Sequence, residues 1–239
     1  GVLYNLSDTY FVGAGIMGAS VDSKTGLPVP LEMTERLVNM YGKVYSLIYD
    51  GEYTAFDISK QDAVVNGSAL NTYRTVFSNG KVLFMNYCLY AYAMFVNDMS
   101  FDVGVVPFPK YDEAQEHYET NLVFQLFYMT IPTTNTKVSQ TATIAEVLTH
   151  DSYETVIPVY YQNVVEHKGL RNENSIEMLE IMRENRGVDL GMIFNWVGSL
   201  RDDIANKLFA GDNQIASLVE RYQPQIESNI AKFEEVLQD

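Results

Sequence analysis

One cysteine, Cys88, stands in a chain of 239 residues. An internal disulfide is therefore excluded, as is a zinc cluster built on cysteine thiolates. Tryptophan is equally scarce, with Trp196 alone. The three histidines, His117, His150 and His167, lie far apart in polar surroundings, two of them beside Glu116 and Glu166. They read as solvated surface groups rather than metal ligands or catalytic bases. Basic charge is also short: 16 Lys and Arg against 31 Asp and Glu give a net charge of −15. Such a surface repels phosphates, which excludes nucleic acid as a partner and argues against an anionic membrane face. The longest apolar run, Met85 to Val96 with Asn86 interrupting it, is too short to span a bilayer.

Catalytic signatures are missing too. There is no HExxH, no GxSxG and no P-loop. The carboxylate pairs Asp112-Glu113 and Asp202-Asp203 are sequence neighbours, whereas a glycosidase needs two carboxyls facing each other across a cleft. Asp22 to Gly26 and Asp212-Asn213 lack the ligand spacing of a calcium loop. Gly13, Gly15 and Gly18 have the spacing of a dinucleotide fingerprint, but the residues after them, with Gly26, Pro28 and Pro30, cannot open the helix that would hold a pyrophosphate. No catalytic residue, metal site or cofactor is therefore expected, and a binding function rises by default.

What is present is apolar and aromatic. Hydrophobic residues make up 47% of the chain, enough for a proper core, and 17 tyrosines supply rings that pair an apolar face with a polar tip. The pattern predicts one or two buried strands over residues 9–21 with a turn at Asp22 to Gly26. A helix is expected from Pro30 to Asp50, with Leu37, Tyr41, Val44 and Ile48 on one stripe. A second, carrying Leu70, Tyr73 and Phe77, is stopped by Asn79-Gly80. Strands are expected at Val82–Tyr87 and Phe101–Val106, on either side of an aromatic run holding Tyr87, Tyr90, Tyr92 and Phe95. Lys110–Thr120 reads as polar and exposed. Asn121–Ile131 reads as a strand buried on both faces.

Ser139 is expected to cap a helix with Ile144, Val147 and Leu148 inward. A break follows at Asp151–Pro158, then a short helix over Val159–His167. Asn174 and Glu177 form a capping box for a helix with Ile176, Leu179 and Met182 on one face, ended by Gly187. The tail is helical: Leu200–Phe209 closed by Gly211, then Gln214–Leu237, split or kinked by Pro224, with Ile226, Ile230, Phe233 and Leu237 inside. Strands alternating with helices and followed by an all-helical tail make an α/β pattern.

Phe77-Ser-Asn-Gly80, the strand and aromatic run Val82–Phe95, and Phe101-Asp-Val-Gly-Val-Val-Pro107 running into Phe108-Pro-Lys-Tyr-Asp-Glu-Ala-Gln115 together resemble the family 1 extracellular solute-binding proteins. These are the sugar-capturing subunits of bacterial ABC importers, and this version of the motif is similar to one found in Gram-positive bacteria. The resemblance implies the C-terminal lobe of a type II periplasmic-binding-protein fold, a mixed sheet flanked by helices. Residues 1–106 would be its first part, 107–159 a hinge and excursion belonging to the N-terminal lobe, and 160–239 its helical remainder.

It implies an oligosaccharide held between two lobes, closure about a hinge and docking on permease subunits. It also implies an extracellular lipoprotein whose signal and anchor cysteine would lie outside this stretch. The ligand-binding residues it implies are Asn86, Tyr87, Tyr90 and Tyr92 after the first motif, and Phe194, Asn195 and Trp196 before the penultimate helix. Strand Leu122–Ile131 is too apolar to stand as an edge, so the other lobe or a second copy would cover it. A sensor or surface-interaction domain without transport and an unrecognised α/β enzyme remain as alternatives.

Overall fold

The computed structural model describes residues 6–50, 75–89, 99–122, 129–160 and 173–238. They form a mixed structure of helices with two small two-stranded sheets, an α/β class in the broad sense.

Residues 6–13 are helical rather than extended (α1, Leu6–Gly13). A short run that is apolar on every side carries no period that separates a buried helix from a buried strand. Phe11, Val12 and Ala14 are buried here. The end of α1 explains the glycines: Gly15 has φ 70°, Ile16 N–H donates to the Phe11 carbonyl at 2.8 Å and Gly15 N–H to that of Val12 at 2.8 Å. This is a left-handed helix cap, not a phosphate cradle.

Beyond it, β1 (Ala19–Val21) and β2 (Pro28–Pro30) pair antiparallel. The expected turn between them is held by the Asp22 carboxylate, which accepts from the Thr25 amide at 2.7 Å, the Thr25 hydroxyl at 2.9 Å and the Lys24 amide at 3.0 Å. These bonds, Thr25 first, hold the Asp22 carboxyl below the usual carboxylate range.

Helix α2 (Glu35–Tyr49) begins five residues later than Pro30 suggests. Pro30 is taken up by β2, and Thr34 supplies the acceptor that proline lacks, its hydroxyl receiving Leu37 N–H at 3.1 Å. The stripe is as expected: Leu37, Tyr41 and Val44 are buried and Ile48 packs beside them. Helix α3 (Val138–Asp151) does not stop at Asp151. It continues through a π turn, Ser152–Val156, into helical residues 157–160. Ile144, Val147 and Leu148 lie on one side of it but are 60%, 60% and 55% exposed rather than inward.

Helix α4 (Glu173–Glu184) starts one residue ahead of Asn174, which therefore sits in its first turn rather than at the cap. Leu179 is buried with Ile176 and Met182 beside it, as expected. Gly187 belongs to β4 (Arg186–Gly187), which pairs parallel with β3 (Thr120–Asn121).

The short α5 (Leu190–Ile193) leads to α6 (Gly198–Phe209) and α7 (Ala216–Gln238). Pro224 lies inside α7 without dividing it; Pro224 and Glu220 both face solvent, so the carbonyl left without its donor meets water. Ile226 and Ile230 are buried and Phe233 packs on them, while the side chain of Leu237 lies outside the described ones. The main core gathers Leu37, Tyr41 and Val44 of α2 with Leu200, Ile204 and Leu208 of α6 and Val219 and Ile226 of α7.

Two features bind sequence-distant parts. Tyr41, Tyr45 and Tyr49, one helical turn apart on α2, donate to the carbonyls of Asp212 (2.6 Å), Gly211 (3.2 Å) and Leu208 (2.8 Å), satisfying the open end of α6. Burial first, then the nearby Asp212 carboxylate, drives the Tyr41 phenol pKa above its ordinary value. A raised folded-state pKa gives stability that is complete below about pH 10 and is lost as pH rises further. Alkaline titration of the unfolding midpoint should show that fall, and Tyr41→Phe should flatten it.

The second feature is Pro107–Gln115, expected to be an exit toward a hinge and then an exposed tail. Its side chains are pinned to α1 and α2. Phe108 meets Tyr10 edge-on at 5.5 Å, and Tyr111 lies under Arg36 (4.5 Å) and Lys43 (4.0 Å). Gln115 accepts from Arg36 Nη2 at 2.7 Å and donates to the Gly13 carbonyl at 2.9 Å.

The two strands expected at Val82–Tyr87 and Phe101–Val106 are not regular strands; Met85 alone there forms a bridge. Val82, Met85, Tyr87 and Val103 bury against Phe77, so the apolar residues find cover by clustering rather than through a ladder. Several expectations fall outside the described residues: Leu70 and Tyr73, Tyr90 to Phe95, the middle of strand Leu122–Ile131 at 123–128, and the part of helix Val159–His167 beyond Tyr160.

Candidate functional site

An open groove of about 650 Å³ lies between 80–88 and 101–106. A helical turn at 75–78 delivers it. That turn ends in a left-handed cap: Gly80 has φ 64°, its N–H meets the Phe77 carbonyl at 2.8 Å, and Lys81 N–H meets that of Val76 at 3.1 Å. The Phe-x-x-Gly motif is thus legible in physical terms. Phe77 buries its ring as the floor, edge-on to Phe101 at 6.3 Å, and Gly80 turns the chain outward.

The rim is apolar and open: Leu83 is 82% exposed, and Phe84 and Val106 are each 63% exposed. Tyr87 and Cys88 line the same groove, with Lys81 and Asp102 as its charged side chains. Its size lies within the range of small-molecule sites.

The seven residues expected to bind ligand do not share one place. Tyr87 lines the groove. Asn86 is buried, and its amide donates to the Thr9 hydroxyl of α1 at 3.3 Å. Tyr90 and Tyr92 lie outside the described residues.

Phe194, Asn195 and Trp196 form a separate cluster at the α5–α6 junction. Trp196 belongs to the core, stacked on Phe194 at 5.1 Å, and both rings meet Phe233 of α7. Phe194 is the exposed member, at 45%. Asn195 adopts the left-handed region at φ 56° and makes the turn into α6.

No family model, curated protein or solved structure matches this chain. The site therefore rests on its own chemistry.

The sequence reading passed over Phe84 and Phe101 as groove residues and Asp189 as a structural carboxylate. Phe84 and Phe101 fall inside the same stretch as the Phe77–Gly80 motif, but which faces of two irregular segments turn outward is not a matter of period. Asp189 is buried and accepts from Gly18 N–H at 2.7 Å, Ala19 N–H at 3.1 Å and, as the N-cap of α5, Met192 N–H at 3.3 Å. Asp followed three residues later by the amide it caps is a readable local signal. Its reach back to Gly18 is not.

A second cavity, about 50 Å³, lies beside this junction among Phe11, Gly18, Leu31 and Val197. It has room for little more than water. Among the described residues no group of His, Cys, Asp and Glu is placed to hold a metal ion, and no helix is long and apolar enough to cross a membrane.

Proposed function

We propose that this chain is the C-terminal lobe of an extracellular solute-binding protein serving a bacterial ABC importer, and that it captures an oligosaccharide. The observation that carries the reading is the open groove at 80–88 and 101–106, built directly on the residues of the family resemblance and presenting aromatic faces at Phe84, Tyr87 and Phe101. Sugar rings offer apolar C–H faces that lie against such rings, while their hydroxyls need directed partners. The Tyr87 phenol, Lys81 and Asp102 are the polar side chains this wall can bring. A second lobe would form the facing wall and close about a hinge, and the closed form would dock on the permease subunits. In this reading the protein is a lipid-anchored extracellular binder with no catalytic step and no cofactor.

Titration calorimetry against a panel of oligosaccharides tests it. One or more should bind, and Tyr87→Ala should weaken that binding about 5- to 150-fold, the scale of one lost stacking contact of about 1–3 kcal/mol. Turnover of a sugar by the wild-type chain, or binding untouched by Tyr87→Ala, overturns the proposal.

A further inference from the structure

The groove rests on an apolar floor. Phe77 meets the first wall through Val82, Met85 and Tyr87 and the second through Val103. Leu179 of α4 backs the second wall at Val103 and Val105. Apolar contact is non-directional. It draws the walls 80–88 and 101–106 onto one floor without fixing how far apart they stand. Hydrogen bonds have direction, and both walls reach α1 through them.

The first wall reaches α1 at Asn86, which is buried and whose amide donates to the Thr9 hydroxyl at 3.3 Å. The next residue, Tyr87, lines the groove. The second wall is braced in its middle by α4, where Val105 N–H donates to the Ser175 hydroxyl at 3.2 Å. It reaches α1 through its continuation, Pro107–Gln115. Phe108 packs over Gly13 so closely that a Cβ there would lie 2.8 Å from the Phe108 Cβ. Gln115 closes the strap. Its Oε1 accepts from Arg36 Nη2 at 2.7 Å and from the Tyr111 amide at 2.9 Å, and its Nε2 donates to the Gly13 carbonyl at 2.9 Å and the His117 carbonyl at 2.8 Å. A carboxamide offers two donor hydrogens and two acceptor lone pairs, and all four are used. Arg36 holds the neighbouring Ala14 carbonyl at 2.8 Å. A helix leaves its last carbonyls open, which is why donors from the strap and from α2 gather at this end of α1.

Thr9 and Gly13 stand four residues apart on α1 and therefore on one side of it. The opposite side is held elsewhere, since Phe11 and Ala14 belong to the main core with α2 and α6. Between its two anchor points α1 is a bar about 6 Å long whose position the core fixes. One end of the bar takes Asn86 and the other takes the strap. The glycine at position 13 has a use of its own, because any side chain there would push Phe108 and the strap away.

We propose that α1 sets the width of the groove, with Thr9, Asn86 and Gln115 as positioning residues that hold its two walls at the spacing a ligand meets. This deepens the reading of the groove as the ligand site and rests on that reading. Asn86 then serves binding without touching ligand, by fixing the backbone that carries Tyr87. Gln115 does the same for the wall that carries Phe101.

The distance between the walls tests the proposal. Leu83→Cys and Val106→Cys place spin labels on the two exposed rims of the whole chain, with Cys88→Ser to remove the native thiol. Pulsed electron paramagnetic resonance then reads the separation without ligand. In this background one narrow distance distribution is expected. Thr9→Val keeps the shape of the side chain and removes its hydroxyl, and Gln115→Ala removes all four bonds of the carboxamide. Each should broaden the distribution and shift it to longer distance. Thr9→Ser keeps the hydroxyl and should leave it unchanged. Leu208→Ala, which weakens a main core containing none of the groove's lining residues, should also leave it unchanged below the unfolding transition. An unaltered distribution in Thr9→Val or in Gln115→Ala, or an equal broadening by Thr9→Ser or Leu208→Ala, overturns the proposal. No sugar enters the measurement, so its failure is distinct from a failure of sugar binding in the calorimetry.

Discussion

Replacing Asp189 by alanine should lower the free energy of unfolding by about 3–5 kcal/mol, the cost of breaking a buried charged hydrogen-bond set from one side. The carboxylate holds the Gly18, Ala19 and Met192 amides at once. Alanine leaves those three donors without their acceptor at a site where Asp189 is only 6% exposed and Ala19 fully buried. No side chain can move in from the other side. Gly18 and Gly191 approach so closely that a Cβ on Gly191 would lie 2.7 Å from the Gly18 carbonyl carbon. Asp189→Asn keeps one acceptor oxygen and should recover part of the loss. Urea unfolding of the wild type and both variants, with the slope unchanged, provides the measurement. Equal stability of the wild type and Asp189→Ala would mean that the strap between the hairpin and α5 is absent in solution.

Leu208→Ala should cost about 2–5 kcal/mol, because Leu208 has no exposed surface and sits where α2, α6 and α7 meet. The surroundings have little freedom to collapse into the space. The backbone of Leu208 is itself held by Tyr49, whose hydroxyl donates to its carbonyl at 2.8 Å. Ile144→Ala is the matched control. It removes a comparable aliphatic side chain that is 60% exposed in the single chain. It should change stability by about 0.5 kcal/mol or less. Thermal unfolding of the two variants separates a core position from a surface one on chemistry of the same kind.

Where an element's own residues decide its form, the sequence spoke clearly. The stripes of α2, α4 and α7, the Asp22 turn and the glycine stops at Gly80 and Gly211 all follow from local period and backbone preference. Misreadings came where form depends on a partner. Residues 10–13 are apolar and lie in a helix. Val82–Tyr87 and Phe101–Val106 have strand composition, yet apart from the bridge at Met85 they are irregular and cluster on Phe77. Ile144, Val147 and Leu148 do define an apolar face, but a pattern identifies a face without naming what lies opposite.

The candidate site divides in the same way. Tyr87 and the Phe77–Gly80 motif were readable because one motif carries both floor and wall. Trp196 cannot be told from a binding platform by type alone; in the fold it is buried, stacked on Phe194 and edge-on to Phe233.

The tyrosine ladder has a consequence for the order in which the chain acquires its shape. Tyr41 reaches a carbonyl 171 residues further on, Tyr49 one 159 further on, and Asp189 an amide 171 back. Contacts of such high order slow folding, since distant loops must close before any contact is rewarded. During synthesis α1 and α2 emerge long before α6 and α7 exist to cover them. A nascent chain therefore carries an open apolar flank from the moment α2 emerges until α6 and α7 follow to cover it.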